Sequence, residues 1–463
     1  MSTRTLLRGG TVITSAKTGE VLPATDILIG ADGTIEAIGP NLDAAGADIV
    51  DVTGRIVLPG FVDTHRHTWQ SVVRNVASDW SLTEYLAGLH SGLSKHFRPE
   101  DTYAGNYLGA LEALDAGITT LVDWSHNLAT PAHADAAVQA LKDTGMRAVF
   151  AHGGGNKQWG APLPSPNNHP AEDAKRVYAE HFGNNDGLVT MALALRGPQF
   201  TTPEVNLHDF KLAEEMGLRV TVHVGDGYWG KSGPIRKMKD DGLLSDKITY
   251  VHCCTLGDDE LQMIADSGGS ASCAPDVEMQ MGHGYPATGR LLTHGIRPTF
   301  SIDVCSSNGG DMFGTMRTAI GMQRALDNAP AVETGEVVER IGLSVNDVIQ
   351  FATIDGANAA GLGSVTGSLE VGKAADIVVL DDRSLAMTPL NNPIGAVVYN
   401  AHPGLVRDVF VQGNRVKKDG VLVGVDFDKL RAQAVASRDY IVGEMPEAHL
   451  DGSWHPDLSV QTA

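Results

Sequence analysis

Residues 57–70 read VLPGFVDTHRHTWQ, and the character of the chain changes within them. Before Pro59 the sequence is a series of alternating runs broken by Gly and Asp-Gly turns: LLRGGTVI, DILIGADGTIEAIG and DIVDVTGRIVLPG. That alternation marks half-buried strands and hairpins. After Pro59, short runs rich in Val, Ile, Thr and Phe alternate with longer stretches of helical period. The runs are FVDTHRH (61–67), ITTLVDW (118–124), RAVFAH (147–152), LVTMALAL (188–195), RVTVHV (219–224), ITYVHC (248–253), SASCAP (270–275) and RPTFSIDV (297–304). Between them lie PEDTYAGNYLGALEALDAG, PAHADAAVQALKDTG, EVNLHDFKLAEEMG and DDELQMIADSG, each ending in the Gly that commonly closes a helix. Eight strand–helix alternations predict an α/β fold, a (β/α)8 TIM barrel.

Beyond residue 364 the β texture returns in GSLEVGKAADIVVLD, GAVVYNAH, VRDVFVQGNRV and KKDGVLVG. The two ends therefore look alike. The expected organisation is a small β-sandwich domain built from residues 1–59 and 365–442, a barrel over 60–364, and a polar, Pro-containing tail over 443–463.

The chain has 463 residues, with 35 Lys+Arg against 56 Asp+Glu and a net charge of −21. So acidic a protein argues against nucleic acid or an anionic membrane as its main partner, because both need a basic face. MSTRTLLRGG lacks an apolar core and a cleavage site, and no run approaches the length of a membrane span. The four cysteines (Cys253, Cys254, Cys273 and Cys305) form no CxxC pair and lie in or just after apolar runs, as reduced, half-buried thiols would. The expectation is a cytoplasmic homo-oligomer acting on a small-molecule substrate.

In a parallel barrel the chemistry sits at the C-terminal ends of the strands. The first run ends in His65-Arg66-His67, and alternation puts both imidazoles on one side. The fifth ends at His223, the sixth at His252 and the eighth at Asp303, while others end in Asp123-Trp124, His152 and Cys273. A single His at a strand end is ordinarily a satisfied surface or core residue. Four strand ends that combine imidazoles with a carboxylate suit a divalent first-row metal with water in an open position.

With these residues in place, the chain resembles the amidohydrolase superfamily, in its branch with cytosine deaminase and the triazine hydrolases. LLRGGTVI, VLPGFVDTHRHTWQ, GITTLVDW, the stretch from His252 to Leu261, SIDV and GSLEVGKAADIVVLD carry the likeness over nearly the whole chain. The resemblance implies one divalent metal ion per chain, zinc first, with iron, manganese or cobalt also compatible, held by His65, His67, His223 and Asp303. Relatives with two metals carry a bridging Lys after the fourth strand, where this chain has Arg196. The resemblance makes His252 a catalytic imidazole beside the metal; metal chemistry makes Asp303, next to the ion, able to take the water's proton. Where the family places a Glu proton shuttle three residues after the fifth-strand His, this chain has Asp226, read either as its replacement or as a turn residue before Gly227. Glu278, in PDVEMQM, is a rival acid, read in the first instance as a solvated loop residue.

Trp69, Trp80, Trp124, Tyr228, Trp229 and Tyr285 fall in or near post-strand loops, which favours a flat or apolar substrate. The residues expected to contact it are Gln70, Trp69, Trp124, His126, Tyr228, Trp229 and Glu278, with His283 and the glycines of MGHGYP shaping the floor. Residues 225–232, GDGYWGKS, match the phosphate-loop pattern GxxxxGK[ST], with IVVLDD (377–382) as a possible acidic partner strand. Bulky Tyr228 and Trp229 and an early Pro234 argue against that role and for a lid that includes Lys231.

The function expected is hydrolysis of a C–N bond by metal-activated water, as deamination or amine displacement on an amino-heterocycle of pyrimidine, pterin, purine or triazine type. The alternative is hydrolysis of an aryl urea, carbamate or thiocarbamate, favoured by the altered HxxD and the loop methionines Met279, Met281 and Met312. A non-catalytic scaffold would be expected to lose metal ligands, and all four are present.

Overall fold

A computed structural model describes residues 4–155, 163–450 and 452–458. Five strands precede the barrel: β1 (Arg4–Ile13), β2 (Val21–Ile29), β3 (Ile35–Gly39), β4 (Ala47–Asp51) and β5 (Arg55–Pro59). Eight follow: β6 (Phe61–Arg66), β7 (Ile118–Ser125), β8 (Arg147–His152), β9 (Val189–Leu195), β10 (Val220–Val224), β11 (Ile248–His252), β12 (Ser270–Cys273) and β13 (Pro298–Phe300). The last four are β14 (Ile377–Asp381), β15 (Val406–Val411), β16 (Asn414–Lys418) and β17 (Val421–Leu422).

The chain divides into two compact units, one of residues 1–64, 112–120 and 311–424, the other of 65–111, 121–310 and 425–463. In the first, both terminal segments enter one nine-stranded mixed sheet in the order β17-β16-β15-β14-β5-β1-β2-β3, with β4 paired to β1. The seam is β5 against β14, antiparallel, with Val57 opposite Val379 and Pro59 opposite Ile377. Leu7, Val12, Ile27, Val57, Ile377, Val379 and Phe410 are fully or almost fully buried together there, so each terminal segment supplies half of a core that neither could close alone.

The barrel strands pair in chain order from β6 to β13. Every residue of β6, β7, β8, β10 and β11 is buried. Strands covered on both faces need apolar residues at successive positions, which is why these segments read as continuous runs. Helices Pro131–Thr144, Pro203–Met216 and Asp258–Ser267 end on Gly145, Gly217 and Gly268, each left-handed, at the positions the sequence marks. The ring closes through a parallel bridge between Arg66 and Asp303: Asp303 N–H donates to the His65 carbonyl (2.9 Å) and His67 N–H to the Asp303 carbonyl (2.8 Å). The eighth strand is shorter than the run 297–304 suggests, because Asp303 adopts φ +64° and turns the chain out of extended geometry.

The 365–442 segment is not β throughout: GAVVYNAH begins inside a helix over Pro393–Tyr399 and forms no strand, and the segment ends in a helix over Phe427–Gly443, capped by the Asp426 side chain. The described residues beyond it do not hang free. Trp80 Nε1–H donates to the Trp454 carbonyl (3.0 Å), the two indoles meet edge to face at 5.0 Å, and Ile441 and Ala448 are buried in the same cluster. A few apolar residues in a polar stretch are enough to dock it. Residues 451 and 459–463 of that expected tail lie outside the described residues. Among the described residues, no helix is long and apolar enough to cross a membrane, and none of the four cysteines forms a disulfide.

One ion pair fixes the start of helix Pro99–Asp115. Arg98 donates to Asp101 from Nε (2.8 Å), Nη2 (2.9 Å) and its backbone N–H (3.0 Å), and its guanidinium lies 3.5 Å over the Tyr440 ring. Burial opposes ionisation of Asp101, but the hydrogen bonds from Arg98 and Ser437 hold its pKa below the ordinary value. A depressed carboxyl pKa contributes stability above the unfolded-state pKa of about 3.9, and this is lost as pH falls through the folded value. Asp101→Asn should therefore cost about 1–3 kcal/mol at pH 7, measured by urea unfolding, with the gap to wild type closing below pH 4. A gap that stays constant down to pH 3 would mean the ion pair contributes nothing.

Candidate metal centre and pocket

His65 and His67, at the end of β6, are almost completely buried, with ring centroids 4.7 Å apart. His223, on β10, places its ring 4.8 Å from that of His65 and 5.5 Å from that of His67. The Oδ1 of Asp303 lies 3.2 Å from His65 Nε2 and 3.3 Å from His67 Nε2. The left-handed turn and paired backbone hydrogen bonds that close the barrel also deliver this carboxylate to the two histidines. His67 donates from Nδ1 to the Trp124 carbonyl (3.0 Å), which leaves the Nε2 lone pair for the centre.

Burial lowers the His65 pKa and pushes those of His67 and His223 well below the ordinary range, which favours the neutral, metal-binding form of each imidazole. Burial works against ionised Asp303, but the hydrogen bond from His65 and the field of His252 hold it well below the ordinary carboxylate value. His65, His67 and Asp303 bring ligand atoms within 4.8 Å of one another, as do His65, His223 and His252. Neutral imidazoles with one carboxylate form a donor set that fits a zinc-type divalent ion.

A second set of groups stands beside the first. His252, at the end of β11, has φ +77°, followed by Cys253 at φ +59°. Gly225 packs against this turn at φ +78°, and a Cβ there would come within 2.7 Å of the Cys253 backbone. The His252 ring donates from Nδ1 to Glu278 Oε1 (3.1 Å), while its Nε2 lies 3.5 Å from Asp226 and 3.7 Å from Asp303. Burial opposes its protonation, but Asp226, Glu278 and Asp303 together raise its pKa to about 9. Asp226 accepts from Gln199 Nε2 and, at 3.2 Å, from His283 Nδ1. Burial would raise its pKa, yet His252, His283 and Gln199 keep it low.

Glu278 is not a solvated loop acid. It is completely buried on the short helix Pro275–Gln280, and Oε1 also accepts the Ala274 N–H (2.7 Å). Helix geometry turns it inward toward His252, an arrangement that a surface reading of PDVEMQM misses.

The cavity of about 430 Å³, including its open mouth, is lined by His67, His223, His252, Asp226 and Asp303. Leu82, Tyr85, Leu86, His90, His126, Phe200, Met281, His283 and Val304 complete it. Of the residues expected to contact the substrate only His126 is among these, together with His283, which was expected at the floor. Trp69 is fully buried and donates from Nε1 to His126 Nδ1 (3.1 Å). Gln70 is tied to the Tyr85 hydroxyl (2.6 Å) and to Ser306 Oγ (2.9 Å). Trp124 lies under the histidines, its ring 4.4 Å from that of His223. These three support the walls from behind, because a large side chain just after a barrel strand can bury itself in the packing beneath the mouth. Trp229 packs against Phe200 at 5.8 Å, while Tyr228 and Tyr285 are exposed. Met279 is partly exposed and Met312 is buried outside the cavity lining.

The phosphate-loop match dissolves in the fold. Residues Trp229–Ser232 form one 3-10 turn, and Asp226 is committed to Gln199 and His283. IVVLDD belongs to β14, in the other sheet, whereas β10 pairs with β9 and β11.

Sequence reasoning missed Gln199, Tyr85, His90 and Leu86. The available signal was SLTE (81–84), a capping box that starts helix Leu82–Tyr85 and turns this loop into a pocket wall. Gln199, in GPQF after β9, has no such local mark.

The chain belongs to the Amidohydrolase family, whose model matches residues 56–416. It is a metal-dependent hydrolase acting on C–N bonds. It is 30% identical over 431 residues to the 5-methylthioadenosine/S-adenosylhomocysteine deaminase of Symbiobacterium thermophilum, covering 90% of this chain and 94% of that protein. It is 28% identical to the 5'-deoxyadenosine deaminase of Methanopyrus kandleri, over 91% of this chain and 96% of that one. Among solved structures, a zinc-bound adenosine deaminase from Xanthomonas campestris superposes with a TM-score of 0.81 at 24% identity, covering 95% and 98% of the two chains. Atrazine chlorohydrolase from Arthrobacter aurescens, complexed with zinc, gives 0.81 at 23% identity over 94% and 99%. These two likenesses concern the fold.

Proposed function

We propose that this protein is a zinc-dependent deaminase of an amino-heterocycle of the adenine type, with one ion held by His65, His67, His223 and Asp303. The observation that carries this reading is a three-imidazole, one-carboxylate centre beside a separate His252–Asp226–Glu278 set, both opening on one cavity. The deaminases of adenosine derivatives among its relatives support the substrate class.

A bound divalent ion supplies a water ionised near neutral pH. Asp303, a carboxylate held in its ionised form, would receive the proton that such a water gives up when its oxygen adds to the amino-bearing ring carbon. His252, oriented by Glu278 through Nδ1, turns Nε2 toward the oxygen that accumulates charge. Asp226 takes part in protonating the nitrogen that leaves. Leu82, Tyr85, Leu86, Phe200, Met281 and Val304 exclude water around a flat ring.

The apolar wall also favours a second reading. Among the described residues no Lys or Arg lines the cavity, which suits an uncharged aryl urea or carbamate as well. Zinc-loaded protein offered 5'-methylthioadenosine, 5'-deoxyadenosine, an aminotriazine and a phenylurea, with ammonia and aniline measured separately, distinguishes the two. Ammonia from an amino-heterocycle is the expected result. Aniline from the phenylurea, with no ammonia from any heterocycle, would overturn it.

A further inference from the structure

His283 is a buried imidazole on the cavity wall that the reaction as described does not use. Its backbone is pinned on both sides: its N–H donates to the Glu278 carbonyl (3.0 Å), and its carbonyl accepts from Gly227 N–H (2.8 Å). Its Nδ1 faces Asp226 Oδ1 at 3.2 Å. Its Nε2, at the opposite corner of the ring, is buried and meets no hydrogen-bond partner among the described residues. A buried ring nitrogen with nothing to bond is costly unless a ligand or a reacting group meets it.

Asp226 cannot easily move to fetch a proton. Gly225 N–H donates to Gln199 Oε1 (2.9 Å), which fixes the amide so that its Nε2 donates to Asp226 Oδ2. The other oxygen holds His283. Both oxygens are therefore engaged in one fixed geometry, and the side chain is one methylene shorter than Glu.

Resting on the deaminase reading above, we infer that His283 is the proton carrier to the leaving group, with Asp226 as its orienting carboxylate. The water oxygen bonds to the ring carbon, and the C=N electron pair moves to the ring nitrogen. One of the water's hydrogens passes through Asp303 to that ring nitrogen. The other passes to His283 Nε2 and then to the exocyclic nitrogen. As the carbonyl forms from the oxygen's electron pair, the C–N bond breaks with its pair going to nitrogen, and ammonia leaves. Asp226 accepts from Nδ1–H throughout, so the ring keeps one tautomer and Nε2 faces the substrate.

The test compares leaving groups on the zinc-loaded protein. His283→Gln should lower ammonia release from the amino-heterocycle about 10²–10³-fold, as removal of a general acid does. Chloride release from the matching chloro-heterocycle needs no proton on the leaving atom and should fall far less. Metal content should stay at the wild-type value. Equal losses for both leaving groups, or an unchanged ammonia rate, would overturn the assignment. So would loss of a metal, since Asp226, His252 and His283 could also group around an ion.

A second measurement needs no turnover. In protein labelled with 15N-histidine, the signal lost in His283→Gln should show a protonated Nδ1. In Asp226→Asn, the single amide oxygen is taken by the fixed Gln199 donor and the amide NH2 faces His283, so that tautomer should invert. A wild-type His283 with unprotonated Nδ1 refutes the pair whether or not any substrate is turned over. If wild type releases no ammonia from any heterocycle, the deaminase reading fails, while the tautomer measurement still decides the pair.

Discussion

His65→Ala should remove metal and turnover together, with activity falling on the order of 10⁴-fold or more. His65 has no solvent exposure, its ring is edge-on to both His67 and His223, and its Nε2 is the nearest imidazole nitrogen to Asp303. No neighbouring side chain can take its place, because His67 is fixed by the Trp124 carbonyl and Asp303 by the closure of the barrel. Elemental analysis should give about one zinc per wild-type chain and almost none in the variant. Treating the wild type with 1,10-phenanthroline should reproduce the loss, and adding zinc back should reverse it only there. Comparing the melting of the metal-free wild type and metal-free variant separates this from unfolding. Two metals per wild-type chain, or full activity in His65→Ala, would refute the site.

His252→Asn should cost about 10²–10⁴-fold in turnover while most of the metal stays bound. Asn is chosen because it tolerates the left-handed backbone at φ +77° better than Ala or Leu. The amide cannot reach both Glu278 and the reacting oxygen as the imidazole does. Metal analysis is the deciding control, since His252 also groups with His65 and His223. If the ion leaves in proportion to activity, His252 is a ligand and its assigned role is wrong. Glu278→Gln should show a smaller loss in the same direction, because it weakens the hold on Nδ1 while leaving the ring in place.

The local readings that succeeded depend on short-range periodicity. The eight runs from FVDTHRH to RPTFSIDV correspond to β6–β13, and Gly145, Gly217 and Gly268 end helices where the sequence marks them. Each of these signals arises within one element, from side-chain alternation or from a residue able to adopt positive φ. The same locality produced the misreadings. GDGYWGKS has the spacing of a phosphate loop, but the spacing does not report that β14 lies in another sheet. Trp69, Gln70 and Trp124 follow strand ends as substrate contacts would, yet their side chains turn into packing.

The sequence by itself determined the barrel, the pairing of both termini in one sheet, and the approach of His65, His67, His223, His252 and Asp303 to one end. Those outcomes follow from pattern and chain order, because a strand's end and the face its residues share are fixed once the strand exists. Only the tertiary structure decided which carboxylate meets which imidazole. Glu278 reaches His252 across 26 residues, and His283 reaches Asp226 across 57. Contacts of that kind depend on where a loop returns and which way a side chain leaves it. No local propensity encodes either, and both are set by the packing of elements distant in the chain.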